Sequence, residues 1–163
     1  MEHSDTMRVL VTGGAGFIGS NLVRRLLNHG DSVAVIDDLS TGFVGNIAGL
    51  PLDFFQGSIL DQEVLARAAA GADAIVHLGA LGSVPRSVAD PIASHHANAT
   101  GTLHVLEAAR REGAYLTAAS SSSVYGSVPD LPRVESLATR PMSPYAASKL
   151  ATESYVLAYG TSY

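Results

Sequence analysis

The sequence has no cysteine among its 163 residues, and it carries little charge. Without cysteine, disulfide bonds and thiolate metal sites are excluded. Charged residues make up 15% of the chain, with 10 basic and 15 acidic side chains and a formal net charge of -5. Because no block of basic residues stands out, nothing favours binding to nucleic acid or to an anionic membrane surface. We therefore expect neither partner.

Long hydrophobic runs are also missing. No apolar stretch approaches the roughly 20 residues that a membrane-spanning helix needs, and the segment from Met1 to Met7 is polar. We therefore expect neither a signal peptide nor a transmembrane helix. A cytoplasmic location is expected, and the lack of cysteine is compatible with it.

Hydrophobic residues, by contrast, make up 47% of the chain, and glycine occurs 16 times. Short β-branched runs alternate with longer stretches rich in alanine and leucine, which is the pattern of βαβ units on a parallel sheet. The length suits one compact domain. The sequence thus predicts an α/β fold, a Rossmann-like doubly wound parallel sheet with helices on both faces, in a single domain spanning residues 1–163.

The elements follow from hydrophobic periodicity and from capping residues. The predicted strands are Arg8–Thr12, Ser32–Asp37, Asp53–Gln56, Ala74–His77 and Tyr115–Ser120. The predicted helices are Phe17–His29, Asp61–Ala70, Ile92–Arg111 and a last helix that Ser143 caps, with Pro144 in its first turn, and that runs to about Leu157. The predicted loops are Leu39–Leu50, with a short helix, and the long surface segment Ser121–Pro141.

A glycine-rich turn, Thr12–Gly19 (TGGAGFIG), joins the first predicted strand to the first helix. Gly13 permits a tight turn, Gly16 lets the backbone approach a pyrophosphate, and Gly19 lets the helix pack against the strand. Three glycines alone often form a structural turn. Here they lie between a strand and a helix, and Asp37 ends the second strand 18 residues after Gly19, where a ribose-binding acid belongs.

The Asp37 carboxylate predicts NAD rather than NADP. It accepts hydrogen bonds from a ribose diol and repels a 2′-phosphate, and no basic residue follows closely. The alternative is that Asp37 and Asp38 only cap the following turn, and for Asp38 this alternative is favoured.

Tyr145 and Lys149 lie four residues apart on the last predicted helix, so they share one face. The ammonium and the positive end of the helix are expected to lower the pKa of the Tyr145 phenol, making it an acid/base near neutral pH. Alone, this spacing is common on exposed helix faces. The glycine-rich turn upstream and the serine-rich segment Ser120–Ser123 after the fifth strand favour a catalytic role.

Together these segments resemble the extended short-chain dehydrogenase/reductase family, and within it the NAD-dependent sugar-nucleotide epimerases. The resemblance covers nearly the whole chain. It rests on Thr12–Gly19, Asp37–Gly42 (DDLSTG), His77–Ala80 (HLGA), Ser83–Pro91 (SVPRSVADP), Asn98–Thr102 (NATGT), Ser120–Gly126 (SSSSVYG) and Ser143–Lys149 (SPYAASK).

The resemblance implies the functional residues. The catalytic ones are Tyr145, Lys149 and Ser121, with Ser122 as the alternative serine. The cofactor-binding ones are Gly13, Gly16, Phe17, Ile18, Gly19, Asp37, Ser58, Ile59, Ala80, Asn98 and Lys149. Ser58 stands where the family commonly has an aspartate that contacts adenine, so weaker adenine affinity is expected.

The implied reaction inverts a stereocentre of a nucleotide sugar, most simply a UDP-sugar, through a transient 4-keto intermediate. The alternatives within the family are a 4,6-dehydratase, a decarboxylase or a reductase. A further alternative is a non-catalytic module that only binds NAD. Dehydratases and decarboxylases typically carry an acidic residue just before Val-Tyr-Gly, where this chain has Ser122 and Ser123. A homodimer through the predicted helix Ile92–Arg111 and the last helix is also expected.

The chain ends at Tyr163, before the C-terminal lobe that clasps the nucleotide sugar in this family. We therefore expect it to bind NAD alone with little or no turnover, because an open site cannot orient the sugar. No metal site is expected, since the adjacent His95 and His96 point in different directions on a helix. His77 is expected to serve packing, and Arg86 to be a solvated loop residue.

Overall fold

The computed structural model describes residues 6–129 and 131–163, and its strands form one sheet in the order β3-β2-β1-β4-β5. The strands are β1 (Arg8–Thr12), β2 (Ser32–Asp37), β3 (Asp53–Gln56), β4 (Ala74–His77) and β5 (Tyr115–Ala118). β1 pairs in parallel with both β2 and β4, and β2 pairs in parallel with β3. The predicted Rossmann-like parallel sheet is confirmed.

The helices agree with the predictions at both ends of the first and at the start of the last, whereas the predicted helix Ile92–Arg111 is divided in two by a π-helical turn. They are α1 (Phe17–His29), α2 (Gln62–Ala69), α3 (Val84–Ala89), α4 (Pro91–His95), α5 (Gly101–Glu112) and α6 (Pro144–Ser162). A π-helical turn, His96–Thr100, connects α4 to α5, and 3-10 turns cover Val44–Asn46 and Ser122–Tyr125. In the part of the chain that the structure describes, no helix has both the length and the apolar character needed to cross a bilayer.

The chain divides into two compact units. Unit 1 consists of the residues up to Gly79 together with His104–Thr117, and unit 2 of Ala80–Leu103 together with Ala118–Tyr163. The sheet belongs to unit 1, apart from the last residue of β5. Whether residues 1–163 form one functional domain stays a prediction.

The apolar core of unit 1 lies on both faces of the sheet because side chains alternate along a strand. Leu10 of β1 packs in a buried cluster with side chains of α2 and α5, among them Leu65 and Val105. Its neighbours Val9 and Val11 belong to a second cluster, which includes Val23 of α1. Burial on both faces explains why β1 reads as a continuous apolar run.

Several predicted ends were wrong for identifiable reasons. Asp61 is the cap of α2 rather than its first residue, because its carboxylate accepts hydrogen bonds from the amides of Glu63 and Val64. β5 ends at Ala118, and α6 continues to Ser162 instead of ending near Leu157.

Helix α3 was not predicted. Its signals are nevertheless present, since the Ser83 hydroxyl accepts a hydrogen bond from the Arg86 amide and Pro85 lies in the first turn. Arg86 is exposed, as expected, but it lies on this helix and not in a loop.

Candidate active site

The glycine-rich turn of unit 1 is held together by contacts between backbone atoms. Gly13 has a φ of +71°, which side chains adopt only with strain. A Cβ atom on Gly13 would lie 2.9 Å from the Cα of Gly79, and one on Gly19 would lie 2.3 Å from the carbonyl oxygen of Gly13. The atoms closest to Gly19 thus belong to the turn, whereas the sequence interpretation assigned its packing to the strand.

Gly14 has a packing role that the sequence interpretation did not include. A Cβ atom there would lie 2.5 Å from Cγ1 of Val35, a fully buried residue of β2. The turn is therefore packed on β2 as well as on the end of β4. The pair of adjacent glycines at 13 and 14 was the available signal.

Gly16 differs from these glycines, because the protein itself does not require it. Its φ of -74° and ψ of 175° suit any residue, and the closest atom to an added Cβ is the Gly13 oxygen at 3.2 Å. Gly16 precedes α1 without a side-chain cap, and the first turn carries no acidic residue. The amides at this helix end are thus available to an anion, which fits a dinucleotide pyrophosphate.

Asp37 closes the turn from the end of β2. One carboxylate oxygen accepts a hydrogen bond from the Ala15 amide at 2.9 Å, and the other accepts one from the Leu39 amide at 2.9 Å. Asp37 is 8% exposed. Each oxygen of an ionised carboxylate has a second acceptor site, so a ribose diol and the structural bonds are compatible. Asp37 therefore also caps the turn that follows it, as the alternative interpretation expected.

Asp38 has the capping role that was favoured for it, since its carboxylate accepts a hydrogen bond from the Ser40 amide at 2.9 Å. A Cβ atom on Gly42 would lie 2.9 Å from an Asp37 oxygen. The loop after β2 therefore leaves little room beside the Asp37 carboxylate for a side chain.

Thr12 joins the ends of β1 and β4 next to the turn. Its buried hydroxyl oxygen accepts hydrogen bonds from the amides of Leu78 (3.2 Å) and Gly79 (3.0 Å) and lies 2.7 Å from Nδ1 of His77. Because both lone pairs are used, we assign the hydroxyl proton to this Nδ1 and the ring proton to Nε2. His77 is buried and hydrogen-bonded, which agrees with its expected packing role.

The remaining predicted cofactor residues of unit 1 follow the ends of β1 and β3. Phe17 and Ile18, at the start of α1, are 84% and 66% exposed. Ser58 accepts a hydrogen bond from the Leu60 amide, and Ile59 packs partly against the core. The structure thus brings Gly13, Gly16, Gly19 and Asp37 together, while roles for Phe17, Ile18, Ser58 and Ile59 stay predictions.

In unit 2, helix α6 carries the predicted catalytic pair. The Ser143 hydroxyl accepts a hydrogen bond from the Ala146 amide at 3.1 Å, so the predicted cap is confirmed. Tyr145, half-buried, lies in the first turn, and Lys149 lies one turn later with 4% exposure. Lys149 is the single lysine of the sequence. Lysine is rarely buried to this extent, so the burial of Lys149 indicates a specific role.

Burial lowers the pKa of the Lys149 ammonium from its ordinary value, and the charge of Glu153 opposes this by raising it. Desolvation disfavours the charged form of an amine, while a nearby carboxylate favours it. Burial and the charge of Glu153 thus act in opposite directions on the pKa of Lys149. A perturbed amine of this kind is frequent at functional sites.

A buried polar network supports the helix face next to the pair. The Asn98 carboxamide accepts a hydrogen bond from the Leu81 amide (2.8 Å) and donates to the Ser148 hydroxyl (2.9 Å), which donates to the Tyr145 carbonyl (2.8 Å). Asn98 lies in the π-helical turn and is 1% exposed. The sequence interpretation placed Asn98 among the cofactor-binding residues, which stays a prediction, and it did not include the contact with Ser148.

The same network continues through two threonines. The Asn98 carbonyl accepts hydrogen bonds from the hydroxyls of Thr102 (2.5 Å) and Thr152 (3.4 Å), and these two hydroxyls lie 3.1 Å apart. All three residues are buried. Helix α6 is thereby fixed to the π-helical turn on the side of Lys149.

Ser121 caps the 3-10 turn after β5, where its hydroxyl accepts a hydrogen bond from the Ser123 amide at 3.2 Å. Ser121 is half-buried, whereas Ser122, the alternative serine, is exposed. Ala80 is half-buried and directly precedes Leu81, the partner of Asn98. The catalytic role of Ser121 and the cofactor contact of Ala80 stay predictions.

Comparison with known proteins gives consistent relatives. The chain is 42% identical to UDP-glucose 4-epimerase of Mycolicibacterium smegmatis, over 96% of this chain and 52% of that protein. It is 40% identical to dTDP-glucose 4,6-dehydratase of Streptomyces niveus, over 94% and 49%. A crystal structure of Thermus thermophilus UDP-glucose 4-epimerase in complex with NAD superposes with a TM-score of 0.89 at 44% identity, covering 96% of this chain and 52% of that one.

The chain thus spans about half the length of the relatives it matches. The family model described as "NAD dependent epimerase/dehydratase family" matches residues 9–163, nearly all of the sequence. With the glycine-rich turn, Asp37 and the Tyr145/Lys149 pair in place, the chain belongs to the NAD dependent epimerase/dehydratase family.

Proposed function

We propose that this chain supplies the NAD-binding and catalytic residues of an enzyme that epimerises a UDP-linked sugar. The observation that carries the proposal is the pair on α6: Tyr145 in the first turn and the chain's one lysine, buried, a turn later. Because the chain spans about half the length of its relatives, turnover is proposed for a protein that combines it with the substrate lobe. The chain alone is proposed to bind NAD with little or no turnover.

Unit 1 fits the adenosine and pyrophosphate parts of NAD. The amides at the start of α1 would hold the pyrophosphate beside Gly16, where no side chain competes for the space. Asp37 would accept hydrogen bonds from the adenosine ribose hydroxyls through the acceptor sites that Ala15 and Leu39 leave unused. The same carboxylate would repel the 2′-phosphate of NADP.

Unit 2 supplies the acid/base chemistry. Tyr145 would take the proton of the sugar C4 hydroxyl and later return it, and Ser121 would donate a hydrogen bond to the same oxygen. The Lys149 ammonium would stabilise the phenolate and donate to the nicotinamide ribose. When bound, NAD would supply the hydride acceptor and donor: the sugar would pass through a 4-keto form, and return of the hydride to the opposite face of that carbon would invert the stereocentre without net redox change.

NAD binding by the 163-residue chain tests the cofactor part. We expect saturable binding in isothermal titration calorimetry, with NADP at least about tenfold weaker, or ~1.4 kcal/mol. The matched variant Asp37→Asn removes the charge and should narrow the difference between the two cofactors. Absence of NAD binding, or equal binding of NADP by the unsubstituted chain, would contradict the proposal.

A dehydratase is the second candidate, because one relative of nearly equal identity is a dTDP-glucose 4,6-dehydratase. The turn before Val-Tyr-Gly favours the epimerase, since Ser122 and Ser123 offer no carboxyl group to catalyse elimination of water. A chimera of this chain with the C-terminal half of an epimerase relative, incubated with UDP-glucose, should yield the C4 epimer. A 4-keto-6-deoxy product would favour the dehydratase, and NAD binding without any product would favour a non-catalytic module.

The homodimer through α4, α5 and α6 and the cytoplasmic location are part of the same proposal. Both are typical of the enzymes that the sequence resembles. Sedimentation equilibrium of the chain tests the first, and fractionation of the source cells tests the second.

A further inference from the structure

Helix α6 carries a third polar residue on the stripe of the catalytic pair. Tyr145, Lys149 and Glu153 follow one another at intervals of four residues, so they lie on the same side of the helix one turn apart. Glu153 was not among the residues that the sequence interpretation selected. Glu153 is half-buried.

Glu153 is also bound to the serine segment after β5. Its Oε1 accepts a hydrogen bond from the hydroxyl of Ser120, the residue directly before Ser121. A glutamate has several rotatable bonds, so without a partner its carboxylate would sample several positions. The Ser120 hydroxyl therefore restricts where the carboxylate lies relative to α6.

Glu153, which is half-buried, lines a small hollow that is open to solvent. The hollow has a volume of about 220 Å³ and is lined by Ala118, Ser120, Thr152, Glu153, Val156 and Leu157. Lys149, in contrast, is buried at 4% exposure. A hydrated anion next to a desolvated cation stabilises the cation at less cost than a fully buried pair, because only one partner loses its hydration.

We propose that Glu153 is a positioning residue for the catalytic lysine: its carboxylate keeps the buried Lys149 ammonium charged, and Ser120 holds that carboxylate in place. Through Ser120 and Ser121 the same glutamate connects the serine segment to the helix face of Tyr145. The catalytic role of Lys149 in this inference rests on the proposed function. The effect of Glu153 on the charge of Lys149 is independent of any ligand.

The other groups around α6 do not replace Glu153 in this role. The elements packed against α6 are α3, α4, the π-helical turn and the 3-10 turn 122–125. Their titratable side chains are Arg86, His95, His96 and Tyr125. Among the residues that the structure describes, Glu153 is the one whose charge raises the pKa of Lys149 against the effect of burial.

The single lysine makes the test direct, because a chain labelled with ¹³C and ¹⁵N in lysine gives side-chain NMR signals from Lys149 alone. Glu153→Gln keeps an oxygen that can accept the Ser120 bond and removes the charge, so the Lys149 titration midpoint should fall by ~0.5 pH unit or more. Ser120→Ala keeps the charge and removes the bond, and should lower the midpoint less. Ser154→Ala, an exposed change on the same helix, should leave it unchanged.

The NAD-bound state provides the functional readout. If Lys149 holds NAD as an ammonium, NAD affinity is lost as pH rises through its titration, and this loss should begin at lower pH in Glu153→Gln. An unchanged Lys149 midpoint in Glu153→Gln, with or without a change in thermal stability, would overturn the inference and reduce Glu153 to a structural role. Failure of the unsubstituted chain to bind NAD would instead overturn the proposed function, and the ligand-free titration would still decide the role of Glu153.

Discussion

The glycine-rich turn of unit 1 and the α6 face of unit 2 are built by opposite means. In the turn, Gly13 and Gly19 allow backbone to touch backbone, so the geometry depends on the absence of side chains. On α6, the geometry depends on buried polar side chains, of which Asn98 and Ser148 are the most directly connected to the catalytic pair. The first region should therefore fail by steric overlap, and the second by unsatisfied hydrogen bonds.

The largest effect is expected for Gly19→Ala. The new Cβ would lie 2.3 Å from the Gly13 oxygen, a backbone atom that cannot move alone, so the free energy of unfolding should fall by about 2–3 kcal/mol. Urea denaturation measures this. Gly82→Ala is the matched control, because nothing lies within 4 Å of its added Cβ; equal stability of the two variants would refute the steric account of the turn.

Asn98→Ala should lower the free energy of unfolding slightly less than Gly19→Ala does. The cause is lost hydrogen bonds instead of steric overlap. The substitution removes the acceptor of the Leu81 amide and the donor to the Ser148 hydroxyl, which we expect to cost about 2 kcal/mol. The same denaturation assay applies, with Thr161→Ala, an exposed change on α6, as control. If the two variants were equally stable, the network would not be what fixes the helix.

Gly16→Ala sharpens the comparison, because it separates the needs of the fold from those of the ligand. Its added Cβ meets one oxygen at 3.2 Å and no strained φ, so stability should change by less than ~1 kcal/mol. NAD affinity should nevertheless fall about tenfold, or ~1.4 kcal/mol, because the methyl group occupies the approach to the pyrophosphate. Calorimetric titration with NAD would show unchanged affinity if the pyrophosphate bound elsewhere.

The smallest change in the free energy of unfolding is expected for Lys149→Met, and it is an increase where the other variants give a decrease. Burial lowers the folded-state pKa of Lys149 below its ordinary 10.5, so between these two values the unfolded chain binds more protons and stability rises with pH. Below that window the charged lysine costs stability. The variant should therefore be more stable at neutral pH, by a margin that shrinks as pH approaches 10.5.

This margin is measured as a difference between the two proteins, since the 6 tyrosines titrate in the same alkaline range in both. Denaturation at several pH values provides it. A margin that stayed constant with pH would show that the lysine is not desolvated in the folded chain.

The fold was predictable because its signals are local. β-Branched runs, the glycine-rich turn and the Ser143 cap each act within a few residues, and β1 and α1 were predicted with their observed ends. Helix α3 was missed because its six residues are too few for a periodic pattern. Its cap, Ser83, and Pro85 in its first turn were the local signals available.

The candidate site was predictable in its motifs but not in its support. Glycine spacing and the Tyr145/Lys149 interval can be read along the sequence, whereas the bonds of Asn98 to Ser148 and of Ser120 to Glu153 join residues 50 and 33 positions apart. No pattern in a single sequence reports such pairs. The second role of Asp37, holding the Ala15 amide across 22 positions, was hidden for the same reason.

The π-helical turn has a consequence for how this helix tolerates length changes. An α-helix advances about 100° per residue, so the wider turn at His96–Thr100 shifts the angular phase of everything after it, including the apolar stripe of Val105 and Ala108. Deleting one residue within the turn would restore the ordinary winding and leave that stripe facing Leu10, because the five wider steps fall short of α-helical rotation by about one residue's 100°. A one-residue deletion within α5, in contrast, would rotate the stripe by about 100°, so relatives should vary in length more readily at residues 96–100 than within α5.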